Sequence, residues 1–253
     1  MRTTAPEPGG DETLDSFYHG RVRLFQKKTG YRFSVDAPLL ADFIRPQPGD
    51  SLLELGAGNG IISLLLSLKP FSRIVALELQ PGLAELARRN VRLNGLQDRI
   101  EIVEADIRTY QPADRFDVVF SNPPYIRKQG GHLSLSGEKS IAKHEIRCDI
   151  SDIMQAAART LKRDGRAYFI HPAARRADFD AAREAAGLKT RTLRHVHSRP
   201  GEAPRWRLAE CDFTAPEPAV RPPLCVYGRD GRYTPEMERI FRGEAGGGFP
   251  EQP

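Results

Sequence analysis

Cysteine is scarce in this chain. The three present among 253 residues, Cys148, Cys211 and Cys225, are odd in number and show no C-x-x-C spacing. That excludes a structural zinc cluster and argues against a disulfide framework. Long hydrophobic runs are missing too. The longest, Ile61–Leu68, is interrupted by serines and stops at Lys69-Pro70, far short of the roughly 20 apolar residues of a membrane helix. The opening Met1-Arg2-Thr3-Thr4-Ala5-Pro6 lacks the apolar centre of a secretory signal. No Gly-X-Y period points to a fibre, and 40% hydrophobic residues are too many for a disordered chain. These absences lead us to expect a soluble protein in a reducing, cytoplasmic setting, with no membrane association and no metal.

What is present is unevenly spread. The net charge is +5, and the whole positive surplus lies within Ser121–Phe213, while the rest of the chain is slightly acidic. A basic face there would attract polyanions. A solvated, Arg-rich surface is the equal alternative.

Residues 1–19 lack periodicity and read as a mobile leader. Residues 20–49 read as a small appendage. Gly20–Gln26 alternates polar and apolar, Lys27–Gly30 offers a turn, and Tyr31–Val35 would complete a hairpin. Asp36 would then cap a helix over Ala37–Ile44. From Asp50 the pattern becomes regular. Short apolar runs at Ser51–Leu55, Arg73–Leu77, Ile100–Val103, Phe116–Phe120 and Ala167–Ile170 alternate with helical stretches at Gly60–Lys69, Pro81–Leu93, Ile150–Leu161 and Ala173–Ala186. Continuous apolar runs linked by helices predict a doubly wound α/β sheet. Leu188–Val196 and Trp206–Phe213, joined at Ser198–Gly201, add an antiparallel hairpin. The expectation is therefore a Rossmann-like, seven-stranded, mostly parallel sheet over residues 50–213. Residues 214–253 would form a Pro-rich extension, a stiff connector followed by a helix that starts at Thr234-Pro235.

Four strand ends carry chemistry. Glu54-Leu55-Gly56-Ala57-Gly58-Asn59-Gly60 follows a strand and opens a helix, where glycines let the backbone turn tightly and approach a ligand. Its spacing differs from the dinucleotide fingerprint, because Gly60 follows Gly58 by two residues, and no P-loop Lys-Ser/Thr follows. The carboxylate of Glu54 would suit a ligand with an ammonium group. Glu78 ends the second strand, placed to accept from ribose hydroxyls. Asp106, after the third strand, could accept from an adenine amino group. Ser121-Asn122-Pro123-Pro124-Tyr125 ends the fourth. Its prolines stiffen the bend, so that the Asn122 side-chain oxygen and the Pro123 carbonyl can both accept from one planar amino group. Tyr125 offers a face on which a base could stack.

With these residues the chain resembles the S-adenosyl-L-methionine-dependent (SAM-dependent) methyltransferases that modify planar amide or amino nitrogens. More narrowly it is similar to the tRNA-valine adenine-N(6)-methyltransferases. That likeness rests on Tyr31-Arg32-Phe33-Ser34-Val35-Asp36-Ala37, Ile141-Ala142-Lys143-His144-Glu145 and Val196–Gly201, and spans Gly20 to Tyr233. The resemblance implies a class I fold, SAM as cofactor and tRNA as substrate. It implies that Asn122 and Pro123 hold the target amine, that Tyr125 stacks on the base, and that Glu54, Gly56, Gly58, Gly60, Glu78 and Asp106 line the cofactor site, with Asp36 at the methionine end. Methylation of a release-factor glutamine, or of rRNA or DNA, remains the alternative.

Two further features complete the expectation. Ile126–Arg147 is a long connection whose Arg127, Lys128, Lys139, Lys143 and Arg147 would contact phosphates as it closes over the substrate. His195 and His197 share a strand face but lack a third ligand nearby, so they read as structural.

Overall fold

Apolar runs that are continuous rather than alternating demand cover on both faces of a sheet. The computed structural model, which describes residues 7–29, 32, 34–123 and 148–244, provides that cover. A hairpin of β1 (Glu12–Phe17) and β2 (Val22–Lys27) precedes α1 (Asp36–Phe43). Then β3 (Ser51–Leu55), α2 (Ile61–Leu66), β4 (Arg73–Glu78), α3 (Pro81–Leu93) and β5 (Ile100–Glu104) alternate, followed by β6 (Phe116–Ser121). After α4 (Ile150–Thr160) come β7 (Leu161–Pro172), α5 (Arg176–Ala185), β8 (Lys189–His197), β9 (Pro204–Asp212), β10 (Ala219–Cys225) and α6 (Pro235–Arg242).

The strand order is β10-β8-β9-β7-β6-β3-β4-β5. β9 is antiparallel to both its neighbours and every other pairing is parallel. The order reverses between β3 and β6, the switch point at which open α/β sheets leave a crevice. Alternate residues of the strands feed two cores. Leu52, Ile74, Val118 and Ile170 pack with α1, α2, α3 and α6 on one face. Leu53, Leu77, Val119 and Phe169 pack with α4 and α5 on the other. Pro81 opens α3 at a position where no amide is needed. Asp149 and Asp152 form a reciprocal capping box on α4.

Three local expectations are corrected. Glu12–Phe17, expected within the leader, is β1 and pairs antiparallel with β2, while Tyr31 and Phe33 of the expected partner segment lie outside the described residues. Asp36 is the first residue of α1 and Val35 its N-cap, because the Asp36 Oδ1 is turned to the Ser34 hydroxyl (2.8 Å) and the Ala37 amide (3.0 Å). The Pro-rich connector contains an eighth strand, β10, parallel to β8. It lies at the sheet edge, where Pro222 and Pro223 cost no ladder bond on the outer side, and the register shifts between Arg221 and Leu224 around them.

Candidate active site

The ends of β3, β4 and β6 are tied together by backbone acceptors. Ser121 Oγ donates to the Leu55 carbonyl at 2.7 Å, which draws the end of β6 against the end of β3. The Gly56 and Ala57 amides both donate to the Leu77 carbonyl, at 3.0 and 2.8 Å, which fixes the glycine loop to β4. Gly56 has φ +78°, a left-handed conformation that costs a residue with a Cβ about 1–2 kcal/mol. A Cβ there would meet no protein atom within 4 Å. The loop thus presents bare backbone to a cavity of about 310 Å³.

That cavity is where the sequence signals meet. Gly56 and Gly58, Glu78, Asp106, Asn122 and Pro123 all line it, and Asp36 enters from the N-terminal segment. Leu79, Leu83, Ile107 and Ile153 supply apolar wall. The mixture suits a ligand with a flat apolar part and several hydroxyl or amino groups.

Glu78 is 6% exposed, and its two oxygens accept from the Gly58 amide (2.8 Å) and the Gln80 amide (2.9 Å). A carboxylate has about four acceptor positions, so these two amides do not exhaust its capacity to accept from neighbouring hydroxyls. Burial pushes its pKa up, and the backbone amides partly oppose that shift. Asp106 sits at the opposite extreme. Arg108 grips both of its oxygens, with Nε at 3.0 and 2.9 Å, and holds the carboxyl below its ordinary value. Asp106 is therefore an ionised acceptor, shared with a guanidinium that also lines the cavity.

Two expected cofactor residues stand behind the wall. Glu54 is 1% exposed and accepts a short hydrogen bond from Ser63 on α2. Burial raises its pKa to about 8. It braces the helix beneath the loop and is not among the residues that line the cavity, while its second oxygen, Oε1, is buried without a hydrogen-bond partner among the described residues. Gly60 also lies off the cavity. Its φ of +83° is the left-handed conformation that favours glycine, and a Cβ on it would only reach ordinary contact with Ala87 on α3, at 3.4 Å.

Tyr125, together with the whole of Ile126–Arg147, lies outside the described residues. Among the described residues no cluster of His, Cys, Asp or Glu could hold a metal ion, and no helix is long and apolar enough to cross a membrane.

Sequence reasoning missed Arg32, Ser34, Arg108 and Cys148 on the cavity wall. Ser34 had a signal in its position two residues before Asp36. Arg108 had none, because nothing in the pattern tells a partner of Asp106 from a surface arginine. It also missed Asn90 on α3. The Asn90 amide receives the Phe25 amide (2.7 Å) and donates to the Phe25 carbonyl (3.1 Å) and the Asn59 carbonyl (2.9 Å). One buried side chain thereby joins the N-terminal hairpin to the glycine loop.

Comparison with known proteins bears on the family and the fold. The family profile of the methyltransferase small domain covers residues 32–178. A tRNA1(Val) (adenine(37)-N6)-methyltransferase of Bacteroides thetaiotaomicron is 30% identical over 231 residues, 89% of this chain and 95% of that protein. The enzyme of the same name from Tolumonas auensis is 26% identical, over 88% of this chain and 93% of its own length. Among solved structures, a predicted O-methyltransferase of Agrobacterium tumefaciens superposes with a TM-score of 0.65 at 22% identity, covering 83% of this chain and 96% of that one. The tRNA m1G37 methyltransferase of M. jannaschii gives 0.54 at 20% identity, over 81% and 55%. At such identities the superpositions speak to fold alone.

Proposed function

This chain belongs to the methyltransferase small-domain family and, within it, to the tRNA1(Val) (adenine(37)-N6)-methyltransferases, and on that premise we propose that it methylates the exocyclic amino group of adenine 37 in a valine tRNA. The cofactor is S-adenosyl-L-methionine, and the hollow at the β3/β6 switch point is proposed as its place. When bound, the cofactor supplies a methyl group on a sulfonium, an excellent leaving group.

The chain's own residues then have three tasks. Glu78 would accept from the ribose hydroxyls. Asp106 would accept from the cofactor's amino group, and Asp36, beside Ser34, would face the methionine end. Asn122 and Pro123 would take both hydrogens of the target amine with two oxygens. Those two contacts strengthen as the nitrogen turns positive, so they are worth more in the transition state than before it. Holding the nitrogen in line with the methyl carbon supplies much of the remaining acceleration. The methylated nitrogen is positively charged and acidic enough to release its extra proton to water, so no strong general base is required.

The observation that supports this reading most is that Asn122 and Pro123 share one cavity wall with Gly56, Gly58, Glu78 and Asp106. The test is transfer of labelled methyl from the cofactor to bulk tRNA, rRNA and release factors, comparing wild type with Asn122→Ala. Label enters tRNA with the wild type and is lost in the variant, while cofactor affinity persists in both. Label found only in protein overturns the proposal.

A further inference from the structure

The register of the sheet carries the site sideways, along the edge on which Asn122 and Pro123 lie. β7 runs parallel to β6 and continues to Pro172 beyond the Ser121↔Phe169 pair. Pro172 pairs with Trp206 at the start of β9, Trp206 with Val196 near the end of β8, and His197 with Cys225 at the end of β10. The start of α5, the β8–β9 hairpin and the turn after β10 therefore occupy one edge with the active site. With strands about 4.8 Å apart, the four steps from β6 to β10 make a track of about 19 Å.

This edge is rich in cations that the proposed chemistry does not use. Arg176, with its side chain 74% exposed, opens α5, and Arg199, at 58%, stands on the hairpin. Arg205 is exposed, with its guanidinium 4.4 Å from the Trp206 ring centroid, and has no carboxylate partner among the described residues. Arg229 and Arg232 are exposed in the turn beyond β10. Acids are present but fewer. Asp180 pairs with Arg176, Glu202 lies 4.0 Å from Arg199, and the Asp230 carboxylate accepts from the Arg232 amide. At the far end the exposed Tyr233 stacks on Tyr227, with centroids 5.0 Å apart and ring planes 20° apart. Exposed arginines ending in an aromatic platform match a phosphate backbone with an unpaired base, and match an acidic protein surface less well.

We infer that this edge, from the start of α5 through the β8–β9 hairpin to the turn after β10, is the docking track for the tRNA backbone beside the target nucleotide. The inference rests on the proposed tRNA substrate. Its test compares two charge-matched variants of the full chain. Arg199→Ala/Arg205→Ala alters the track. Arg73→Ala/Arg115→Ala alters the opposite edge, at the start of β4 and just before β6.

The track variant should bind tRNA roughly 60-fold more weakly near 0.1 M salt. Its log affinity against log salt should flatten by about 1.8, because two phosphates are no longer neutralised and keep their counterions. The opposite-edge variant should stay within about twofold of wild type. Cofactor affinity, and methyl transfer at saturating tRNA, should be kept in both. Equal weakening by the two variants, or none by the track variant, overturns the inference while leaving the activity standing. Wild-type protein that binds cofactor yet neither binds nor methylates tRNA, and labels protein instead, overturns the substrate reading and the track with it.

Discussion

Replacing Glu78 by Gln separates what this side chain does for the fold from what it does for a ligand. In the structure one oxygen accepts from the Gly58 amide at 2.8 Å and the other from the Gln80 amide at 2.9 Å. A glutamine keeps the shape but turns one of the two acceptors into a donor facing an N–H. One buried amide is then left without a partner, at a cost of about 1–3 kcal/mol in stability. The same change removes one charged acceptor from the ribose hydroxyls, worth about 1.5–3 kcal/mol. At 1.4 kcal/mol per factor of ten, the Kd for the cofactor should rise about 10- to 150-fold. Denaturant unfolding without ligand reads the first term, and titration calorimetry with S-adenosylmethionine reads the second. A variant that loses stability as described but binds cofactor within about threefold of wild type would refute the placement of the ribose on Glu78.

Other perturbations bear on neighbouring parts. Asp106→Ala should weaken cofactor binding, and an unchanged calorimetric affinity would remove this residue from the site. Asn90→Ala strands the Phe25 amide and two carbonyls, so it should cost about 3 kcal/mol or more in urea unfolding; a loss below about 1 kcal/mol would show that the hairpin contributes little to the loop. Glu54 is an acid whose folded pKa, about 8, lies above its unfolded value. The unfolded chain therefore ionises first as pH rises, and this group withdraws stability between the ordinary carboxylate range and about pH 8. Glu54→Gln should flatten the fall in urea midpoint across that window, and an unaltered pH profile would show that Glu54 is not the group responsible.

The central strands were legible because β3, β4 and β6 are buried on both faces and so read as largely apolar runs, while β5, at the sheet edge with Glu101 exposed, kept enough apolar residues to be read as a strand. β1 was not, since Glu-Thr-Leu-Asp-Ser-Phe in a two-stranded ribbon carries little apolar content. β10 was hidden by its prolines, which forbid a central strand but not an edge one. The candidate site divides in the same way. Asn122, Pro123, Gly56, Gly58, Glu78 and Asp106 converge because strand ends of a parallel sheet share one edge, and that much follows from topology. Glu54 lies behind the cavity wall because closeness to the glycine loop in sequence says nothing about direction. The two-residue period of a strand puts it on the face of Leu52, under α2, where Ser63 meets it. The Arg108 clamp on Asp106 and the Asn90 bridge depend on tertiary neighbours that no local pattern encodes.

The identity of the methylated atom tests the account most directly. After reaction with unlabelled cofactor, tRNA would be digested to nucleosides at neutral pH, where methyl groups do not migrate, and the adenosine products separated and fragmented by mass spectrometry. A planar amine gripped through both hydrogens by Asn122 and Pro123 requires N6-methyladenosine and nothing else on that base. A methyl group on a ring nitrogen or a ring carbon would contradict it, because neither atom offers two hydrogens to a pair of oxygens.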